Sequence, residues 1–277
     1  MKLKGISKRL TLRDLKTLAG MMRVYKNWRE ILSDSFGISS KPEMTVVLRN
    51  GVRFVARDYT TLKDVSSTKL VGNEIWIREA YNPPGFEIKK GDVVVDIGAH
   101  IGAFSLYAAY HGGKGSKVYS YEPSPLAFDM LKKNIRLNRF EKIITPFRLA
   151  VWSKKGKRNI YMSNADSQGQ GTMLSDSNFN IPVVVNCITL SDIVKSIVRM
   201  HGRIDFLKCD CEGAEYDIFL STPKKYLEKI EKISLEYHGY SKKHSKDDLK
   251  LFFENMGFEV SIKPEFETLG MMYVKIK

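Results

Sequence analysis

Cysteine is scarce in this 277-residue chain: there are three, two of them at positions 209 and 211 on either side of an aspartate. Three thiols cannot form a disulfide framework, and the Cys209–Cys211 pair lacks the further ligands and spacing of a zinc site. The thiols are therefore read as reduced and partly buried. No apolar run approaches the length of a membrane span, and the first residues lack the apolar centre of a secretory signal. These absences lead to the expectation of a cytoplasmic protein. There is also no internal repeat and no low-complexity segment. A composition of 43% hydrophobic and 27% charged residues suits a globular chain of one large domain, or one domain with an extension.

Positive charge is in excess: 45 Lys and Arg stand against 31 Asp and Glu, a formal net charge of +14. Residues 1–60 hold 13 basic and five acidic residues, and shorter clusters recur at Lys154-Lys155-Gly156-Lys157-Arg158 and Lys242-Lys243-His244. Such a surface attracts nucleic acid, anionic lipid or acidic glycans, or is simply solvated; no nucleic-acid module accompanies it.

Apolar residues three or four apart from Leu12 to Leu32 predict one or two amphipathic helices that pack on the main domain, or that lie on a membrane surface. Asn50-Gly51 between two β-rich runs predicts a hairpin. Asn82-Pro83-Pro84-Gly85 reads as a tight turn, because the aromatic fourth residue of an amine-gripping tetrad is absent. This divides the chain into a helical and hairpin extension over 1–85 and a main domain over 86–277.

From Asp92 onward strand and helix alternate. Strands are expected at 93–97, 117–121, 143–151, 183–187, 204–209 and 232–237, with a polar loop or short hairpin over 153–181 and a terminal antiparallel hairpin at 257–260 and 271–276. The pattern predicts an α/β, doubly wound, mostly parallel sheet, with its ligand site at the carboxyl ends of the strands.

The site is most legible at Val93-Val94-Val95-Asp96-Ile97-Gly98-Ala99-His100-Ile101-Gly102, a buried strand, a glycine turn and a helix start. A turn of this kind is expected to expose backbone N–H groups to a ligand. A pyrophosphate site wants glycines in a G-x-G-x-x-G pattern, whereas Asp96 at this strand tip favours a cationic nucleoside such as S-adenosylmethionine. Glu122, at the next strand end and ahead of Pro123-Ser124-Pro125, is placed to accept bonds from ribose hydroxyls. Asp210, Glu212 and Glu215 cluster after the 204–209 strand, and His238 lies just beyond the 232–237 strand. If those strands are neighbours, Asp210, Glu212 and His238 converge over the pocket. They could serve as a base for an acceptor hydroxyl or as ligands of a divalent cation, whereas Glu215 is read as a helix cap.

Asp96-x-Gly98-x-x-x-Gly102, Glu122-Pro123 with Asn134 and Asn138, and the Leu207–Glu215 string resemble the FkbM family of S-adenosylmethionine-dependent methyltransferases. Glu236-Tyr237-His238, the Asn50-Gly51 hairpin and Tyr81 extend the likeness. The resemblance implies a seven-stranded, Rossmann-like class I methyltransferase sheet and O-methylation of a sugar, glycan or other small acceptor. It further implies that Asp96, Gly98, Ala99, His100 and Gly102 hold the methionine end, Glu122 and Pro123 the ribose, and Ala150 and Val151 the adenine. Asp210, Glu212 and His238 would face the acceptor. Two other readings stand beside it: an RNA methyltransferase using Lys8, Arg9 and Arg13, and a non-catalytic protein retaining the fold.

Overall fold

A computed structural model describes residues 12–35, 43–57, 67–163, 171–172, 179–239, 245–266 and 268–277. The basic Lys8, Arg9 and 242–244 positions lie outside these. The chain begins with helices α1 (Leu12–Val24) and α2 (Trp28–Ser35), the hairpin β1 (Glu43–Val47) and β2 (Arg53–Arg57), and helix α3 (Ser67–Trp76). The alternating part comes next: β3 (Val93–Ile97), α4 (Ala103–Gly112), β4 (Lys117–Tyr121), α5 (Pro125–Leu137) and β5 (Ile144–Phe147). Beyond it lie β6 (Ala150–Val151), β7 (Gly156–Ser163), β8 (Gly171–Thr172), β9 (Phe179–Ile188) and α6 (Leu190–His201). The remainder is β10 (Ile204–Cys209), α7 (Glu215–Leu220), α8 (Lys224–Leu227), β11 (Ile230–His238), α9 (Lys246–Asn255), β12 (Phe258–Pro264) and β13 (Leu269–Ile276).

Seven strands form the main sheet in the order β12-β13-β11-β10-β3-β4-β5. The five from β11 to β5 are parallel, and β13 and β12 close one side antiparallel. This is the expected doubly wound α/β architecture. Every residue of β3 and β10 is buried, as expected of central strands covered on both faces. Burying each large aliphatic side chain there contributes roughly 1.5–3 kcal/mol. The chain passes from β3 outward through β4 and β5, then returns to build β10 on the other side of β3. The order therefore reverses between β3 and β10, and the crevice above their carboxyl ends is the expected ligand site.

Two expectations need correction. The 143–151 run is not one strand: β5 stays in the main sheet, while β6 pairs with β9 in a separate four-stranded sheet of order β6-β9-β7-β8. A continuous apolar run carries no mark of the point where a strand changes partner. Likewise, the polar stretch from 153 onward is largely β7 and β9, paired antiparallel over most of their length.

The N-terminal hairpin is tied to the main sheet through α5. Asn134 is fully buried; its Oδ1 accepts from Val55 N–H (2.7 Å), and its Nδ2 donates to the carbonyls of Ile101 (2.9 Å) and Val55 (3.2 Å). One turn later Asn138 Oδ1 accepts from Arg53 N–H (2.8 Å), and its Nδ2 donates to Arg53 O. The two amides thus stand in for a neighbouring strand along β2. Met21, Tyr25, Phe54 and Trp76 from the extension share one apolar cluster with Phe104, Leu106, Val118 and Leu131. No helix among the described residues is long and apolar enough to cross a membrane.

Candidate active site

The turn after β3 sets the floor of the site. Gly98 has φ +72, and a Cβ there would stand 1.7 Å from the carbonyl oxygen of Asp210, so only glycine fits. His100 (φ 51) and Glu212 (φ 52), on the facing turns, also hold left-handed conformations unusual for side-chain-bearing residues. The N–H groups of Gly98 and Ala99 both donate to Tyr121 O (3.0 Å each), and His100 N–H donates to Glu122 Oε2 (2.7 Å). These three donors are spent inside the fold, which corrects the expectation that the turn offers them to a ligand.

Asp96 lies behind the cavity wall. It is fully buried, accepts from Ser105 Oγ (2.6 Å), and sits 3.4 Å from Lys208 Nζ. Strand register produces this row, since Lys208 pairs with Asp96 and Asp96 with Ser120, whose Oγ is 2.7 Å from that of Ser105. Lys208 also donates to Gly98 O (2.7 Å) and lies 3.6 Å from Asp210 Oδ2. Burial alone would lower the pKa of Lys208, but Asp96 and Asp210 outweigh it and hold the ammonium charged.

Gly98, Ala99, His100, Glu122, Pro123, Ala150, Val151, Asp210 and Glu212 all line one cavity. Of the other sequence-predicted residues, Asp96, Gly102 and His238 lie outside its lining; Gly102 caps α4 at φ 90, packed against Leu131. Glu122 Oε1 accepts from Ser124 N–H (2.8 Å), so each carboxylate oxygen holds one backbone donor and keeps further acceptor capacity. Burial raises its pKa to about 7 against those two bonds. Leu149, Ala150, Val151 and Ile160 give this end of the cavity an apolar wall.

At the other end, strands β10 and β11 are adjacent, as the convergence of Asp210, Glu212 and His238 required. His238 is buried, with Nδ1 3.1 Å from Glu215 Oε1 and Nε2 3.5 Å from Glu212 Oε2. Burial would lower its pKa, but Glu215, Glu212 and Asp210 raise it to about 10. The imidazole is thus a cation at neutral pH and has no lone pair to accept a proton. Burial likewise pushes Asp210 upward, yet Lys208, His238 and the Tyr81 hydroxyl bring its pKa below the usual value. Desolvation in the cavity raises Glu212 to about 7, although 38% of its side chain is exposed. Glu215 does not cap α7 as expected but fastens the turn before it, accepting from the N–H groups of Cys211 (2.8 Å) and Gly213 (3.0 Å).

Asp210, Glu215 and His238 offer ligand atoms within 4.8 Å of one another. Both Glu215 oxygens also accept N–H bonds from the turn, and His238 Nδ1 lies 3.1 Å from Glu215 Oε1, so a cation here would compete with these contacts.

Tyr81 and Glu236 join this cluster, although the sequence pattern gives neither of them a role in the site. The Tyr81 hydroxyl donates to Asp210 Oδ2 (2.9 Å) and lies 3.1 Å from Glu236 Oε2. Burial, with Asp210 and Glu74 nearby, raises Glu236 to about 9, so its carboxyl carries the proton that closes the second bond. Tyr81 is delivered by the Asn82-Pro83-Pro84-Gly85 turn, where Asn82 Nδ2 donates to Phe86 O (3.0 Å) and Phe86 N–H to Pro83 O (2.8 Å). The turn is legible in the sequence; what it carries to the pocket is not.

A family model described as Methyltransferase FkbM domain matches residues 96–260, more than half of the chain. The AMB antimetabolite synthetase AmbE of Pseudomonas aeruginosa is 26% identical over 241 residues, covering 73% of this chain and 11% of that protein. The methyltransferase sdnD of Sordaria araneosa is 24% identical over 196 residues, 61% of this chain and 74% of its own length. The 31-O-demethyl-FK506 methyltransferase FkbM of Streptomyces tacrolimicus is 41% identical over 61 residues, 22% of this chain and 23% of that one. The chain thus spans about a tenth of the first relative and about a quarter of the third.

Proposed function

This chain belongs to the FkbM family of methyltransferases, and from that premise we propose that it methylates a hydroxyl group of a sugar, glycan or other small acceptor. S-adenosylmethionine is the methyl donor, and when bound it supplies an electrophilic sulfonium methyl group. The observation that carries the reading is the union, in one cavity, of a ribose-type carboxylate (Glu122) and two differently tuned carboxylates (Asp210 and Glu212).

In this reading Glu122 and Pro123 hold the ribose, and Ala150 and Val151 border the adenine. Lys208 locks the Gly98 turn against Asp96, which supports the floor from behind. Asp210 stays ionised and, fixed by Lys208 and Tyr81, accepts a hydrogen bond from the acceptor hydroxyl and orients it. Glu212, with its pKa near neutrality, takes the proton as the methyl group transfers. His238 acts through Glu212 as a positioning residue, its charge keeping that carboxylate in place. Holding donor and acceptor in line supplies most of the acceleration, with the base adding a smaller factor. The name of the Streptomyces relative, an O-demethyl substrate methyltransferase, supports oxygen as the atom modified.

Transfer of tritiated methyl groups to a panel of glycans, small hydroxyl compounds and RNA tests the proposal. Label is expected on a hydroxyl acceptor, with the Glu212→Gln variant slower by about 10²- to 10⁴-fold. Label confined to RNA, with steep salt dependence, would support the nucleic-acid reading instead. A donor that binds without any acceptor being labelled would support the non-catalytic reading.

A further inference from the structure

We propose that Glu74 anchors the α-ammonium group of the methionine tail of S-adenosylmethionine, so that helix α3 of the N-terminal segment completes the donor site. The inference rests on the donor assignment above and deepens it.

The layout of the cavity gives the tail its direction. With the ribose at Glu122 and the adenine against Val151, the rest of the donor must run over Gly98. It then reaches the part of the lining that holds Ala103, Phe104, Tyr81 and Glu74, beside Asp210. An ammonium there needs anionic or carbonyl acceptors. Asp96, the acid that the sequence pattern offers, is behind the wall and engaged by Ser105 and Lys208. Asp210 is engaged by Lys208 and Tyr81. Glu74 lines the cavity and, among the described residues, its carboxylate makes no hydrogen bond or ion pair. Burial, and after it the nearby charge of Asp210, raises its pKa to about 7, with Arg78 and Lys208 opposing and Glu265 adding to the rise. Arg78 and Lys208 offset that rise only in part, and an ammonium at this carboxylate would add the counter-charge.

Helix α3 is held firmly enough to place this group. A Cβ on Gly72 would stand 2.9 Å from the Phe54 ring and 3.0 Å from the Tyr25 hydroxyl, so the helix lies directly on the hairpin and on Tyr25, just after α1. Ile75 and Trp76, next to Glu74 in the chain, are buried. The acid therefore projects from a packed helix end, where little reorganisation precedes binding.

Calorimetry on the full chain tests this with three ligands: S-adenosylmethionine, S-adenosylhomocysteine and 5′-methylthioadenosine, the last of which lacks the amino-acid tail. For the Glu74→Gln variant, the first two should bind about 10- to 100-fold more weakly, the loss expected of a charge-assisted bond. Methylthioadenosine should bind the variant and the wild type equally. Unchanged S-adenosylmethionine affinity in the variant would overturn the inference while leaving the donor assignment standing. An equal loss for all three ligands would also overturn it, since it would mark a structural role. A rise in acceptor KM with donor affinity unchanged would assign Glu74 to the acceptor instead. Failure of the wild type to bind any of the three would remove the donor assignment itself.

Discussion

Position 98 admits glycine alone, for two independent reasons: its backbone lies at φ +72, and the Asp210 carbonyl stands where a Cβ would be. Gly98→Ala should cost about 3 kcal/mol or more, from left-handed strain and forced separation of β3 from β10, measured by denaturant titration. The neighbouring titratable groups make a second prediction. As the proposed base, Glu212 must be ionised to accept a proton, and with a pKa of about 7 it should make kcat rise with pH through about 7 and then level off. In Glu212→Gln that rise should vanish; its persistence would point to another base. At this scale the sequence pattern brings Gly98, Glu122, Asp210 and Glu212 to the cavity lining, because glycine turns and strand-end acids are local signatures. It misplaces Asp96, since nothing local tells whether a strand-end acid faces a cavity or a buried lysine on the next strand. It also assigns proton chemistry to His238, whose charge is set by Glu215 from another element. Glu74 is invisible for the same reason: one glutamate on a helix carries no mark of what it will face.

Helix α5 does more than cover the sheet, because Asn134 and Asn138 along one of its faces complete the hydrogen bonding of β2. Replacing Asn134 with leucine removes three bonds and strands the buried Val55 N–H. A loss of about 2–4 kcal/mol is expected, with faster amide exchange in the hairpin as the local readout. A variant with unchanged exchange at Val55 would contradict this role. Element type is largely readable from periodicity: the strands at 93–97, 117–121 and 204–209 have the expected bounds. The terminal pair and the Asn50-Gly51 hairpin also form as expected. Partnership is what periodicity leaves out. The 143–151 run changes sheets at Arg148-Leu149, and the polar stretch after 153 builds the sheet that walls one end of the cavity, with Ile160 facing into it.

The whole molecule couples its stability to the same charges that tune the site. His238 has its folded pKa raised to about 10 from 6.5, so its stabilising contribution is fully present below pH 6.5 and is lost as pH rises through 10. Glu236, raised to about 9, binds a proton more tightly in the folded state and also loses stability as pH climbs from 4.5 through 9. Stability should therefore fall steadily from about pH 7 to about pH 10, and His238→Gln should flatten part of that slope in thermal melts. A profile as steep as that of the wild type would show that His238 is not charged in the fold. The crevice above β3 and β10 is proposed to take an adenosyl nucleoside, its ribose held by Glu122. Calorimetric titration of the wild type and Glu122→Ala with S-adenosylhomocysteine, ATP and NAD measures it directly. S-adenosylhomocysteine binding should weaken at least about tenfold in the variant, with no uptake of ATP or NAD by either protein. Tight binding of a phosphorylated nucleotide, or S-adenosylhomocysteine affinity indifferent to Glu122, would contradict it.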